Sequence, residues 1–167
     1  EEEIPEISEA GTYDVYVKVE TQTASIEAEE ITEPWTQNVT SVIHKAEREV
    51  TVNVADDLIY DAQDKTLVTA TLATGSALEI GDTVTWEYKL SDETTWTKVN
   101  YEVSDSSINA VDSVATLLEG TTALSLTIPG EDVYAGTYQV KLIITGANYN
   151  DYTYPKQENN GVSVEIG

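Results

Sequence analysis

The feature that most constrains this chain is an alternation of apolar and polar residues in several short runs. In the run 84–90 every second residue is apolar, and Thr, Glu and Lys lie between them. The same alternation covers 50–54, 68–72, 138–144 and 162–166. Successive side chains of a β-strand point to opposite faces, so a period of two buries one set and leaves the other in water. The pattern predicts an all-β protein.

Turn-forming residues separate these runs. Gly-Ser at 75–76, Gly-Asp at 81–82, Pro-Gly at 129–130 and Asn-Asn-Gly at 159–161 supply the backbone angles that chain reversals need. Several short strands with such turns are typical of an antiparallel β-sandwich. We expect one departure from this pattern, a single helical turn within 107–118.

The alternation also predicts which residues form the core. The residues expected inside the sandwich are Trp86, Tyr88, Tyr138, Val140, Leu142 and Val164. Tyr138 lies where sandwiches often have a tyrosine whose hydroxyl bonds to nearby backbone. Gly136 precedes it at a sharp turn, where glycine tolerates a positive φ.

An internal repeat defines the organisation of the chain. Ala-Gly-Thr-Tyr-Asp-Val at 10–15 returns 125 residues later as Ala-Gly-Thr-Tyr-Gln-Val. Each copy enters one alternating strand and is followed by another, at 39–45 and at 162–167. The repeat therefore predicts one complete unit over residues 48–167. Residues 1–47 read as a two-strand hairpin, the last strand pair of a second sandwich.

This hairpin has an apolar face that needs a partner, formed by Tyr13, Val15, Val17 and Val19. An isolated hairpin is marginally stable in water, and unpaired strand edges invite pairing with another chain. An upstream segment, a neighbouring molecule or the chain's own complete unit could cover that face. The start Glu-Glu-Glu, without Met, fits a processed mature chain or an excised piece of a longer one.

Six short motifs of the complete unit occur in an order that is similar to a known family. They are VTV at 50–52, YDA at 60–62, VTWEYK at 84–89, TWT at 95–97, AGTYQV at 135–140 and ANYN at 147–150. In this order they resemble the bacterial immunoglobulin-like repeats called MBG or YDG domains. The family usually has Gly where this chain has Ala62, and 100–128 is longer than expected, which indicates an inserted strand pair or loop.

The resemblance implies an immunoglobulin-like sandwich. It also implies tandem arrays on cell-surface or secreted bacterial proteins, with adhesive or spacer roles. It implies no shared active site, and the neighbouring partners would be units of the same kind.

The net charge of -23, from 31 acidic and 8 basic residues, excludes whole classes of partner. Binding nucleic acid requires Lys and Arg to replace condensed counterions, and an anionic membrane surface attracts basic segments. No run of 18 apolar residues is present, so we expect no membrane insertion. In an extracellular layer, the charge would favour solubility and mutual repulsion.

The sequence offers little to catalysis. His44 is the only histidine and there is no cysteine, which argues against a triad, a thiolate or a histidine-rich metal site. We predict no enzymatic activity and no cofactor. The one metal hypothesis is calcium at a cluster of acidic turn residues, Asp56, Asp57, Asp61 and Asp64, because calcium takes six to eight oxygen ligands from such loops.

Three functions are compatible with these observations. The first is an extracellular spacer or adhesion module of a repeat protein. The second is a subunit that polymerises into a filament or surface layer by strand complementation. The third is a carbohydrate-binding module, in which exposed aromatic rings would stack on a glycan. The candidates for that stacking surface are Trp35, Tyr149, Tyr152 and Tyr154.

Overall fold

The protein is built almost entirely of β-strands. The computed structural model describes residues 6–19, 35–105, 115–156 and 161–167, with the backbone alone at 16–19 and 35–38. In this part of the chain there are eleven strands and two single-turn 3₁₀ segments, Thr74–Ser76 and Gly130–Asp132. The predicted all-β class is confirmed. No helix of the described residues is long and apolar enough to cross a membrane.

The chain divides into two compact units, Glu1–Lys45 and Ala46–Gly167. The first contains an antiparallel pair of nine-residue strands, β1 (Gly11–Val19) and β2 (Trp35–Ile43). The register opposes the first residue of β1 to the last of β2 along the whole length of both strands. The first unit is thus a hairpin, and His44 follows its second strand.

The second unit contains nine strands arranged in two sheets. They are β3 (Val50–Val54), β4 (Lys65–Leu72), β5 (Thr83–Leu90), β6 (Thr97–Ser104), β7 (Ala115–Leu118), β8 (Ala123–Ile128), β9 (Gly136–Thr145), β10 (Tyr152–Tyr154) and β11 (Val162–Ile166). The smaller sheet has the order β3-β4-β8. The larger has the order β10-β9-β5-β6-β7, and β11 also pairs with β9. Because β5 occupies one edge of β9, β10 and β11 share the other edge in succession.

Strand β7 lies where the sequence predicts a helical turn. It pairs with β6 in the one parallel ladder of the described sheets, with Leu117 opposite Val103. The helical prediction is therefore wrong for residues 115–118, while 106–114 lie outside the described residues. Pairing with the edge of β6 satisfies backbone groups along β7 and lets Leu117 pack against the core, which a single helical turn would not provide.

The inner faces of the two sheets form one hydrophobic core. Trp86, Tyr138, Val140, Leu142 and Val164 are each at most 2 % exposed. The other buried apolar residues are Leu67, Val68, Ala70, Leu72, Leu78, Val84, Val103, Leu124, Leu126, Ile128, Val133, Ile144 and Ile166. Apolar side chains from both sheets contribute, so the second unit is a β-sandwich.

Two strands, β5 and β4, depart from simple alternation. Tyr88 is half-buried at the margin of the core, and desolvation raises the pKa of its phenol above the usual value. In β4 the register with β8 shifts between Thr66 and Val68, and both Leu67 and Val68 are buried. An irregularity of this kind turns two successive side chains toward the same face.

The internal repeat of the sequence is also a repeat of structure. Gly11 opposes Ile43 and Val15 opposes Val39 in the hairpin. In the sandwich, Gly136 opposes Ile166 and Val140 opposes Val162. The two copies of the motif thus begin strand pairs with the same register.

Each copy also has a tyrosine corner with the same spacing in the chain, although the hydrogen bond runs in opposite directions. The Tyr13 hydroxyl donates to the backbone oxygen of Glu9 at 2.9 Å, and the Tyr138 hydroxyl accepts from the backbone N–H of Tyr134 at 2.9 Å. Both hydroxyls bond to backbone four residues upstream. Gly136 has a φ of 144°, in the range that favours glycine.

Replacing Trp86 by Ala should destabilise the sandwich strongly. Trp86 is 1 % exposed and is among the largest fully buried side chains, so its loss should cost about 3–5 kcal/mol in transfer and cavity energy. Urea denaturation followed by circular dichroism measures the change. Ile59→Ala is the matched control, because Ile59 is 71 % exposed and should change stability by less than about 1 kcal/mol. A Trp86→Ala cost equal to the control would contradict this core assignment.

Candidate functional site

The acidic segment proposed for calcium lies between β3 and β4. Asp56, Asp57, Asp61 and Asp64 are all exposed. Asp57 has a φ of 52°, which lies in the left-handed region. The backbone therefore turns sharply here, as the density of Asp residues indicates.

Two of these carboxylates have partners within the protein. Asp61 accepts the backbone N–H of Gln63 at 3.0 Å and pairs with the Lys65 ammonium at 2.6 Å. The hydrogen bond from Lys65 is the main reason that the pKa of Asp61 lies below its usual value. Asp64 accepts the backbone N–H of Gly130 at 2.9 Å, which joins this turn to the 3₁₀ segment before β9.

The structure does not gather the four carboxylates into one ligand set. Among the described residues, no group of three or more His, Cys, Asp or Glu side chains is placed to hold a metal ion. The contacts of Asp61 and Asp64 instead hold the turn in position. Calcium at this loop stays a hypothesis without a defined set of ligands.

The most elaborate polar cluster surrounds Arg48, just before β3. Its guanidinium is fully buried and forms an ion pair with Asp82. It also donates to the backbone oxygens of Ser76 at 2.9 Å and Ala77 at 3.2 Å. The Tyr149 ring covers it, with 4.2 Å between the guanidinium carbon and the ring centroid. One cation thus links the segment before β3 to the β4–β5 connection and the β9–β10 connection.

The partners of Arg48 are themselves held in place. Asp82 also accepts the backbone N–H of Glu79 at 2.8 Å, and the Tyr149 hydroxyl donates to the backbone oxygen of Gly75 at 2.6 Å. Gly146 lies against the ion pair so closely that a Cβ there would collide with the Asp82 carboxylate. A buried charge pair is tolerated only with such additional hydrogen bonds, because desolvating two ions costs several kcal/mol each.

The Arg48 cluster also secures the segment that leads into β3. The backbone N–H of Ala46 donates to the oxygen of Asn148 at 2.9 Å, and the Asn150 N–H donates to the oxygen of Ala46 at 2.8 Å. The Glu49 N–H donates to the Ser76 hydroxyl at 2.9 Å. The chain is therefore fixed on both sides of Arg48 where it enters the sandwich.

Sequence reasoning missed this cluster. Arg48 is the only arginine in the chain, and it stands directly before the first strand of the complete unit. A single arginine among 31 acidic residues is a signal that could have been used, since arginine is the cation best suited to buried ion pairs. Its partner Asp82 could not have been chosen from so many carboxylates.

The aromatic residues proposed for glycan stacking are mostly used in internal contacts. Tyr149 covers Arg48, while Tyr152 and Tyr154 are half-buried and pack against the core. Burial raises the pKa of the Tyr152 phenol. The side chain of Trp35 lies outside the described residues. Tyr149, Tyr152 and Tyr154 therefore do not form an open ring surface for a sugar.

Comparison with known proteins adds no relative to this description. No protein-family model, no curated protein and no solved structure matches the chain. The candidate sites therefore have to be judged on their own geometry. That geometry singles out the Arg48 cluster, whose contacts all serve to hold loops and the segment leading into β3.

Replacing Arg48 by Met should destabilise the sandwich by about 3–5 kcal/mol, because it leaves the buried Asp82 carboxylate without a counter-charge. The double variant Arg48→Met/Asp82→Asn should lose less, since it removes the uncompensated charge. Urea denaturation measures both. Lys156→Met, at an exposed lysine, serves as the control for loss of one positive charge. Equal losses for Arg48→Met and Lys156→Met would contradict the structural role of the ion pair.

Calcium at 0.5 mM should shift the melting temperature by no more than about 1 °C, because a ligand stabilises only in proportion to its occupancy of the native state. Differential scanning calorimetry with magnesium at the same concentration gives the comparison. A rise of several degrees with calcium alone would reveal a tight site. Asp56→Asn and Asp57→Asn would then test whether it lies in the turn after β3.

Proposed function

We propose that this protein is a non-catalytic, extracellular structural or adhesion module of a bacterial cell-surface or secreted repeat protein. The observation that carries the proposal is the repeated strand pair. The hairpin and the β9–β11 pair share a sequence motif, a register and a tyrosine corner. Recurrence of one supersecondary unit within a chain is typical of repeat proteins.

The path of the chain through the second unit supports the same role. The chain enters beside Arg48, near the loop that follows β9, and β11 ends opposite Gly136, where β9 begins. The ten residues of β9 separate these points by roughly 30 Å, at about 3.4 Å per residue. A module whose two connections lie at opposite ends suits an extended string of domains.

Composition is consistent with a module that faces water and other copies of itself. The chain has no cysteine and a net charge of -23. A large charge of one sign keeps proteins soluble and separate at high concentration. We assign no catalytic residue, because neither the Arg48 cluster nor the acidic turn offers a nucleophile beside a general base.

A second candidate is a subunit of a self-assembling filament or surface layer. The observation in its favour is that β1 pairs with a single strand in the described hairpin. Its counterpart β9 has strands along both edges. An open strand edge is a template for pairing with another chain.

Antibodies raised against the protein should label intact cells of the source organism as strongly as permeabilised ones. Flow cytometry measures the ratio, and an antibody to a cytoplasmic protein is the control that must label permeabilised cells only. Labelling that depends on permeabilisation would refute an extracellular role. Immunogold electron microscopy of the same cells separates the two candidates, because gold particles along fibres would favour the filament subunit over the spacer.

A further inference from the structure

One edge of strand β1 lacks a partner strand in the described hairpin, whereas the equivalent edge of β9 in the sandwich is paired. In the sandwich, β9 pairs with β5 along one edge, and Tyr138 and Val140 are at most 2 % exposed. The equivalent edge of β1 has no partner strand among the described residues. Val15, the counterpart of Val140, is 42 % exposed, and Val39 opposite it is 48 % exposed.

We propose that this edge is an interaction surface for a second copy of the same chain. The two β1 strands pair antiparallel about a two-fold axis, which joins two hairpins into one four-stranded sheet. A two-stranded hairpin is marginal by itself, whereas three or more strands with a hydrophobic face reach independent stability. The inference concerns a contact between molecules and does not depend on the proposed extracellular role.

The sequence of β1 specifies one register for this pairing. Apolar residues occupy positions 13, 15, 17 and 19, and the strand has one acid, Asp14, and one base, Lys18. An antiparallel pairing centred on Tyr16 opposes Asp14 of each copy to Lys18 of the other. The same register opposes 13 to 19 and 15 to 17, so every apolar position meets an apolar position. Opposite charges and apolar pairs directly across strands are the pairs that stabilise antiparallel sheets.

Neighbouring registers are poorer. A pairing centred on Val15 opposes Asp14 to Tyr16, and one centred on Asp14 opposes the two aspartates to each other, which is destabilising.

The charge of β1 also favours this strand as the site of contact. Two chains of net charge -23 repel each other, and β1 carries no net charge, so it offers an approach with little local repulsion. Identical strands paired about a two-fold axis form a closed contact, so the product is a dimer.

Charge reversal tests this register. Sedimentation equilibrium of residues 1–167, from 5 µM to 1 mM protein, should reveal a reversible species of twice the 18.3 kDa monomer mass. Asp14→Lys and Lys18→Asp should each weaken dimerisation by about tenfold or more, because two like-charge pairs replace two opposite-charge pairs. Asp14→Lys is the more discriminating variant, since it lowers the net negative charge and a non-specific contact would strengthen.

Mixing the two variants should restore association as a heterodimer, in which each lysine again faces an aspartate. Native mass spectrometry distinguishes this species, because the two variants differ in mass. Asp92→Lys and Lys156→Asp make the same charge changes at exposed positions of the second unit and should leave dimerisation within about twofold of the parent.

Three results would overturn the proposal. The first is a parent chain that stays monomeric at 1 mM. The second is an open-ended series of masses or a dimer that Asp14→Lys leaves intact, since either would point to a different surface. The third is a mixture of the two folded variants that stays monomeric, which would mean that pairing between positions 14 and 18 does not hold two copies together.

Discussion

Strand β9 is the element on which the second unit depends. It is the longest strand of the sandwich, it pairs with β5 on one edge and with β10 and β11 on the other, and its inner residues are almost completely buried. Both requirements of a β-strand, paired backbone and a covered apolar face, are met there at once. The first unit has a strand of the same pattern, β1, which has one neighbouring strand in the part of the chain that the structure describes. The shared pattern supports the repeat-module proposal, and the difference in edge pairing motivates the proposed dimer.

The two copies of the repeated motif show which structural features a short sequence can specify. Tyr13 and Tyr138 both close a corner by bonding to backbone four residues upstream. The corner is therefore a local device, because in both copies its hydrogen bond joins residues only four apart in the chain. Burial of the following strand is a different matter, because it needs partners that lie far away in the chain. A repeated motif can thus specify a turn and a register without supplying the residues that cover it.

A buried ion pair lies at one end of the sandwich. Most of the acidic residues that the structure describes are exposed to water, where their mutual repulsion is screened. Among these described residues Asp82 alone is buried, together with the only arginine of the chain. The desolvation cost of burying this ion pair is offset by the hydrogen bonds that Arg48 and Asp82 form with loop backbone and by the contact with the Tyr149 ring. The cluster fixes the chain at the point where it enters β3.

Residues read correctly from the sequence are those whose behaviour follows from local periodicity. Trp86 and Val140 are buried because alternate positions of a strand share one face, and Gly136 has the positive φ expected at its turn. The helical turn predicted within 107–118 was wrong at 115–118, since β7 instead adds to the edge of β6. The burial of both Leu67 and Val68 was not predictable either, because it arises from a register shift against β8.

What the sequence by itself determined is therefore the all-β class, most strand positions, the repeated hairpin motif and the inward face of the central strands. Each follows from interactions between residues close in the chain. Tertiary structure decided the pairing of Arg48 with Asp82, the parallel addition of β7, and the internal use of Tyr149, Tyr152 and Tyr154. These depend on which distant segments the two sheets bring together, and no local pattern of polarity encodes that.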